Sequence, residues 1–188
     1  MNMEKIVAFI IFGLIILGLI SYMVGLYNQL IMLKNNIVKS FANIDILLKQ
    51  RADEIPNLVK IVKESQRYES ALLENLTRMR TEYMKATDIE TKVQINNSIE
   101  KALRSVIAVS ENYPDLKTNA VFIQLHQRIS ELENLIADRR EFYNESVNMY
   151  NIGIAEFPAV MFAKLMGYKQ KNMLYVSEAE KKYDGVQF

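Results

Sequence analysis

The chain has 188 residues, of which 50% are hydrophobic and 24% charged, with six Gly, three Pro, one His and no Cys. That length holds one ordinary domain, or one domain and a membrane segment. Lys and Arg number 23 against 22 Asp and Glu, a formal charge of +1, so nothing draws the chain to a polyanion and nucleic acid is not an expected partner. The missing Cys excludes disulfides, thiolate catalysis, Fe–S clusters and Cys-ligated zinc.

No charged residue lies between Lys5 and Lys34, and Ile6 to Leu26 is a run of 21 residues whose polar members are Ser21 and Tyr22. As a helix it crosses a ~30 Å hydrocarbon core. Glu4 offsets Lys5 and no small-x-small site follows the run, so an uncleaved single-pass anchor is expected rather than a signal peptide. Lys34, Lys39 and Lys49 beyond the span outweigh Lys5 before it. The expected orientation therefore puts the N-terminus outside and the helical domain in the cytoplasm. Gly18, Ser21 and Gly25 share one face of the anchor, where small residues let helices approach closely; they are candidates for self-association.

Beyond the anchor, Leu30, Leu33, Ile37, Phe41, Ile44 and Leu48 recur at intervals of three and four, which continues the anchor as an amphipathic helix. Asp53-Glu54-Ile55-Pro56 is the first punctuation: Asp53 can cap a new helix and Pro56 suits a first turn. A second helix is expected from there to about Lys85, polar in its middle, followed by a capping site at Thr87-Asp88. A third carries Ile99, Leu103 and Val106 and ends before Tyr113-Pro114-Asp115. In the fourth, Phe122, Ile129, Ile136, Tyr143, Tyr150 and Phe157 recur every seven residues, with Leu125, Leu132, Val147 and Ile154 between them. Such a stripe is a face pressed against other helices. At ~1.5 Å per residue this helix would be about 60 Å long, so an elongated molecule is expected.

The expected fold is all-α: segment 1–27 with the anchor, then an antiparallel four-helix bundle over 28–157 with helices at about 28–52, 54–86, 88–112 and 118–157. If one of the two breaks is only a kink, a longer hairpin results; the short linkers favour the bundle. Segment 158–188 is rich in Met and Phe with Lys164, Lys169 and Lys171 interspersed, as an interfacial or partner-binding segment would be, or one capping the bundle.

Chemistry finds little to stand on. His126 is the sole imidazole, on the edge of the apolar stripe, and Ile123 stands where a di-iron bundle needs Glu. Glycines form no phosphate loop, and the carboxylates lie beside Lys and Arg at helix-surface spacing. No catalytic residue, cofactor or metal is expected, and the chain is not read as an enzyme. Tyr143-Asn144 and Tyr150-Asn151 are seven apart and place each Asn at the flank of the stripe. Asn is a poor helix former, so a buried polar contact fixing helix register is expected, with Arg140 and Asp45 as candidate partners.

The stretches YNQLIMLKNNI (27–37), IDILLKQRADEIPNLV (44–59), AVSENYPDLKTN (108–119), FIQLHQRISELENLIADRREFYNESVNMYN (122–151) and FPAVMFAKLMGY (157–168) resemble the LemA family of membrane-anchored helical proteins, in the family's order over nearly the whole chain. Phe41 stands where that family usually has Trp, His126 where it has Gln, and Arg139 where a small residue is usual. The resemblance implies one N-terminal membrane helix, a short N-terminus outside and a helical bundle, and supplies no reaction. Its motifs make Tyr27, Asn28, Asp45, Arg51, Pro56, Asn57, Tyr113, Pro114, Asp115, Arg140, Tyr143, Asn144, Tyr150, Asn151, Phe157 and Pro158 candidates for structural or interaction roles. The expected function is a membrane-anchored scaffold that self-associates or organises membrane-protein partners at the lipid bilayer. The alternative is a ligand- or stress-sensing adaptor.

Overall fold

The computed structural model describes residues 3–64, 70–110 and 112–174. The polar middle of the expected second helix (65–69), Glu111 and the end of the C-terminal tail (175–188) lie outside the described residues, as do residues 1–2. The described residues hold six helices and no strand: α1 (Met3–Glu64), α2 (Ser70–Lys85), α3 (Ile89–Ser110), α4 (Pro114–Lys117), α5 (Ala120–Gly153) and α6 (Ala159–Leu165). They group into two compact units, one of 3–39 with 144–173, the other of 40–143 with Leu174. Helices α1 and α5 contribute to both.

The second unit is a bundle of four helices. Asp45 and Ala52 of α1 meet Tyr83 and Arg80 of α2, an antiparallel order. Asp45 and Arg51 meet Lys92 and Asn96 of α3, a parallel one. Arg140 of α5 reaches Asn97, and Tyr143 packs on Phe41 with rings edge-on at 6.1 Å, which places α5 against α3 and α1. Each helix buries one stripe: Ile44, Leu48, Ile55, Leu58 and Val62; Leu73, Leu76 and Met79; Ile99, Leu103 and Val106; Ile129, Leu132 and Ile136. Steps of three, four and seven put each set on one side of its helix, and burying those sides against one another forms the core.

The expected break at Asp53–Pro56 does not occur. Helix α1 runs through Pro56 to Glu64, so the helices expected at 28–52 and 54–86 are replaced by the end of α1 and by α2. Proline inside a helix removes the N–H that would bond the carbonyl four residues back, here that of the buried Ala52. The orphaned oxygen is taken by Arg80 of α2, whose Nε donates to Ala52 O at 3.1 Å. Asp53 is consequently no cap; its carboxylate lies 3.5 Å from Arg80 Nη2. Helix α1 is described to Glu64, and α2, antiparallel to it, from Ser70.

The later boundaries follow local capping. Asp88 Oδ1 accepts from the Thr91 amide at 2.8 Å, the expected cap before α3, and that bond holds its carboxyl below the ordinary value. Tyr113 is extended and Pro114 opens the short α4. Asn119 Oδ1 accepts from the amides of Val121 and Phe122 and starts α5. Helix α5 ends at Gly153, short of the expected Phe157, which is exposed outside the heptad stripe.

In the first unit the apolar part of α1 is long and apolar enough to cross a membrane, and none of it is buried. Packing begins at Leu30 and Ile37. Gly153 lets α5 approach α1: a Cβ built there would stand 2.5 Å from Leu33 Cδ1. Helix α6 buries Ala159 and Ala163 and closes on Gly167 at φ 68°. Tyr168 N–H reaches Ala163 O at 2.9 Å and Gly167 N–H reaches Lys164 O at 3.1 Å, a Schellman motif that turns the chain back.

Candidate functional site

The bundle interior carries one polar layer. Arg51 falls between Leu48 and Ile55 on the inward stripe of α1, so the helical period alone places a guanidinium in the core, with no side-chain exposure. Its Nη2 donates to Asn96 O at 3.1 Å and its Nη1 lies 3.6 Å from Glu100 Oε2, both on α3. Glu100 also pairs with Arg104 at 2.9 Å. From α5, Arg140 Nη2 donates to Asn97 Oδ1 at 3.0 Å, and Glu133 turns its carboxylate toward the same layer. Arg51 Nε and Nη1, Asn96 Nδ2 and Glu133 Oε1 are buried without a hydrogen-bond partner. Desolvation lowers the Arg51 pKa against the pull of Glu100 and Glu133. Desolvation likewise raises that of Glu133, against the pull of Arg51.

A layer of this kind can hold helix register or receive a small polar molecule. Buried ions rarely add net stability over apolar packing, but losing one partner is costly. It offers no nucleophile beside a base. Among the described residues no group of three or more His, Asp or Glu could hold a metal.

A second cluster centres on Asp45. Tyr83 Oη donates to Asp45 Oδ1 at 2.8 Å and Lys92 Nζ stands 2.7 Å from Oδ2, so one carboxylate ties α1 to α2 and α3. Burial and that hydrogen bond together push the Tyr83 hydroxyl well above its ordinary pKa. Away from these polar groups, an open groove of about 500 Å³ between α1 and α5 is lined by Glu54, Asn57, Lys60 and Arg128 among others. Asn57 there donates to Glu54 at 3.1 Å.

In the first unit, Tyr150 and Asn151 hold the segment after α6. Tyr150 Oη donates to Lys169 O at 3.2 Å; Asn151 both donates to Lys171 O and accepts from its amide, each at 2.9 Å. Tyr168 packs between Tyr150, 6.3 Å between ring centroids, and Lys34, whose ammonium is 5.4 Å from the Tyr168 ring. Burial pushes the Tyr150 hydroxyl up.

The expected network therefore divides. Asn151 bonds backbone of its own unit rather than Arg140 or Asp45; Arg140 pairs with Asn97 and Asp45 with Tyr83 and Lys92. Asn144 is half-buried, while Tyr143 is buried and its hydroxyl pushed up by burial. Tyr27, Asn28, Gly18, Ser21 and Gly25 are exposed on α1, and nothing lies within 4 Å of where a Cβ would stand on Gly18 or Gly25. Pro158 is half-buried just ahead of α6, and Pro114 and Asp115 are exposed in α4. Sequence reasoning passed over Arg80, Asn96, Asn97 and Glu100, and it read Glu133 among the solvated helix-surface carboxylates, whereas Glu133 is half-buried with Oε1 turned inside. Asn96 had a signal: with Ile99, Leu103, Val106 and Ser110 it completes a three-four repeat, which puts a polar residue on an apolar stripe.

The sequence profile of the LemA family matches residues 40–188, well over half the chain and both polar clusters of the bundle. The chain belongs to the LemA family. It is 26% identical to Protein LemA of Metamycoplasma hominis over 179 residues, covering 92% of this chain and 80% of that protein. It is 22% identical over 181 residues to Magnetosome protein MamQ 2 of Paramagnetospirillum magneticum, covering 82% of this chain and 66% of the relative. With Magnetosome protein MamQ of Magnetospirillum gryphiswaldense the identity is 20% over 184 residues, covering 82% and 68%. The chain thus spans only about two thirds of the MamQ proteins' length. Family membership and the exposed apolar helix support a membrane-associated helical protein.

Proposed function

We propose that this LemA-family chain is a non-enzymatic scaffold, anchored by α1 with its N-terminus outside and its bundle cytoplasmic, that self-associates or organises membrane-protein partners at the bilayer. The observation that carries the reading is apolar surface left over once the bundle has closed its core. Val121, Leu135 and Phe142 stand exposed at multiples of seven on α5, with Ile46 exposed on α1. Repeated large apolar groups at heptad spacing outside a filled core suit contact with a further helix. The Gly18, Ser21 and Gly25 face of the anchor offers a second contact of the same kind.

The test is the mass of the full chain in mild detergent, by light scattering corrected for the micelle. An oligomer is expected that Leu135→Glu with Phe142→Glu, or Gly18→Leu with Gly25→Leu, dissociates. A monomer at every concentration removes self-association. Orientation is read separately from a single Cys at exposed Lys60: an impermeant thiol reagent that labels it in intact cells reverses the assignment.

One observation favours the sensing alternative. Arg51 Nε and Asn96 Nδ2, buried without a hydrogen-bond partner, would complete their hydrogen bonds on a small polar molecule entering the bundle. Chemical-shift changes confined to Arg51, Asn96 and Glu133 on adding a metabolite mixture would support it.

A further inference from the structure

We propose that α6 and the turn after it dock on the headgroup layer of an anionic phospholipid bilayer. The proposal rests on reading α1 as a membrane span.

The first observation is that α6 is built inside out for a helix facing water. Its buried positions are small, Ala159 and Ala163. Apart from Lys164 its exposed positions are large and apolar, Met161 at 64% and Leu165 at 85%, with Phe157 just before it at 82%, while Val160 and Phe162 are half-buried. A helix stabilised only by its own unit would bury the large residues and expose the small ones. The inverted order suits a solvent that accepts apolar groups on the outer side.

The second observation is charge. From Phe157 to Met173 the chain carries Lys164, Lys169 and Lys171 and no acidic residue, and all three are exposed. Lys34, exposed on α1 in the same unit, leans over the Tyr168 ring and adds a fourth cation. Basic residues interspersed with exposed apolar ones are the composition of a surface that enters headgroups and pairs with their phosphates.

The third observation is level. Along α1 every described residue up to Gln29 is exposed except the half-covered Leu26, and covering by the rest of the unit is complete at Leu30. Leu30 lies four residues past the end of the apolar run, roughly 6 Å along the helix axis. The polar layer on each side of the hydrocarbon is itself about 5–8 Å thick. Tyr27, exposed on α1 one residue past the apolar run, marks the same depth in the way interfacial aromatics do. The unit that contains α6 therefore begins to pack within the headgroup layer, next to the end of the span.

The chain has no Cys, so a single introduced thiol reports one position. Full-length Leu165→Cys and, separately, Leu17→Cys are labelled with an environment-sensitive fluorophore. Each is placed at one copy per nanodisc, in phosphatidylcholine alone or with phosphatidylglycerol, and quenched by lipids spin-labelled near the headgroup or at mid-chain. The expected result is mid-chain quenching at position 17 in either lipid, and shallow quenching at position 165 that is strongest with phosphatidylglycerol. Replacing Lys164, Lys169 and Lys171 by Gln lowers the docked-to-undocked ratio about fivefold per lysine. Quenching at 17 without quenching at 165 overturns the docking and leaves the span intact. No quenching at 17 overturns the span itself, and the docking with it. Quenching at 165 that ignores both phosphatidylglycerol and the lysines overturns the anionic surface. A label at 165 shielded from water but untouched by lipid quenchers means that protein covers this face, which also overturns the proposal.

Discussion

Pro56 lies in the interior of a 62-residue helix, and its cost is met by a residue 24 positions further along the chain, Arg80. If Arg80 serves chiefly to satisfy the Ala52 carbonyl, the cost of deleting it must depend on what occupies position 56. Ala52 is 1% exposed, so water cannot replace the lost donor. A buried carbonyl left unpaired costs about 1–3 kcal/mol. Taking about 2 kcal/mol, and about 2–4 °C per kcal/mol for a chain of this size, Arg80→Ala lowers the midpoint of thermal unfolding by about 4–8 °C. In a Pro56→Ala background the restored amide bonds Ala52 O as in any helix. Arg80→Ala then loses only the contact with half-exposed Asp53 and some packing, under about 1 kcal/mol. The double-mutant cycle should show a coupling of about 1–2 kcal/mol between residues whose side chains need not touch. Far-UV circular dichroism of the full chain in mild detergent measures it. If Arg80→Ala costs the same in both backgrounds, the carbonyl is not what Arg80 holds, and Pro56 is tolerated for another reason.

Other outcomes follow from the two polar clusters and the C-terminal turn. Glu133 has its folded pKa raised above 4.5, so its ionisation opposes folding: that contribution is absent below pH 4.5 and grows as pH rises through the folded value. Glu133→Gln should therefore stabilise the bundle at neutral pH and lose its advantage below pH 4.5, as urea titrations at several pH values would reveal; an advantage independent of pH would remove the ionisation argument. Tyr83→Phe deletes the hydrogen bond to Asp45 and should cost about 1 kcal/mol, with a smaller loss in a Lys92→Met background if the two donors act through one carboxylate. Gly167→Ala forces an L side chain into left-handed backbone at about 1–2 kcal/mol and should release Tyr168 from Tyr150, seen as loss of cross-peaks between the rings. Asn151→Ala removes both bonds to Lys171; hydrogen exchange there should accelerate about tenfold for each ~1.4 kcal/mol lost, while the bundle's unfolding midpoint stays put.

How much of this was legible beforehand depended on the range of the interaction. The apolar run from Ile6 to Leu26, the inward stripes such as Ile129-Leu132-Ile136, the Asp88 cap and the all-helical class are written in residues at most seven apart, and periodicity reads them directly. The LemA resemblance was likewise carried by contiguous motifs. Local reading failed where a distant group reversed a local preference. Pro56 beside Asp53 has the form of a helix start, yet it stands in a helix interior, with Arg80 from a distant part of the chain on the carbonyl it leaves unbonded. Asn151 was expected to bridge helices, but the Gly167 turn brings Lys171 beside it first. Phe157 fits the heptad by number, yet α5 ends four residues earlier, at Gly153, whose missing side chain leaves room for Leu33.

The polar layer shows the same division within one site. The sequence by itself made Arg51 a candidate through its family motif; its place on the inner stripe, between Leu48 and Ile55, follows only once α1 runs unbroken through Pro56. Which groups it meets was decided only by the packing of α3 and α5 against that stripe, which set Glu100 at 3.6 Å and left Arg51 Nε without a partner. A single helix fixes the direction of its side chains through its period, whereas the register between helices is a property of several faces packing at once.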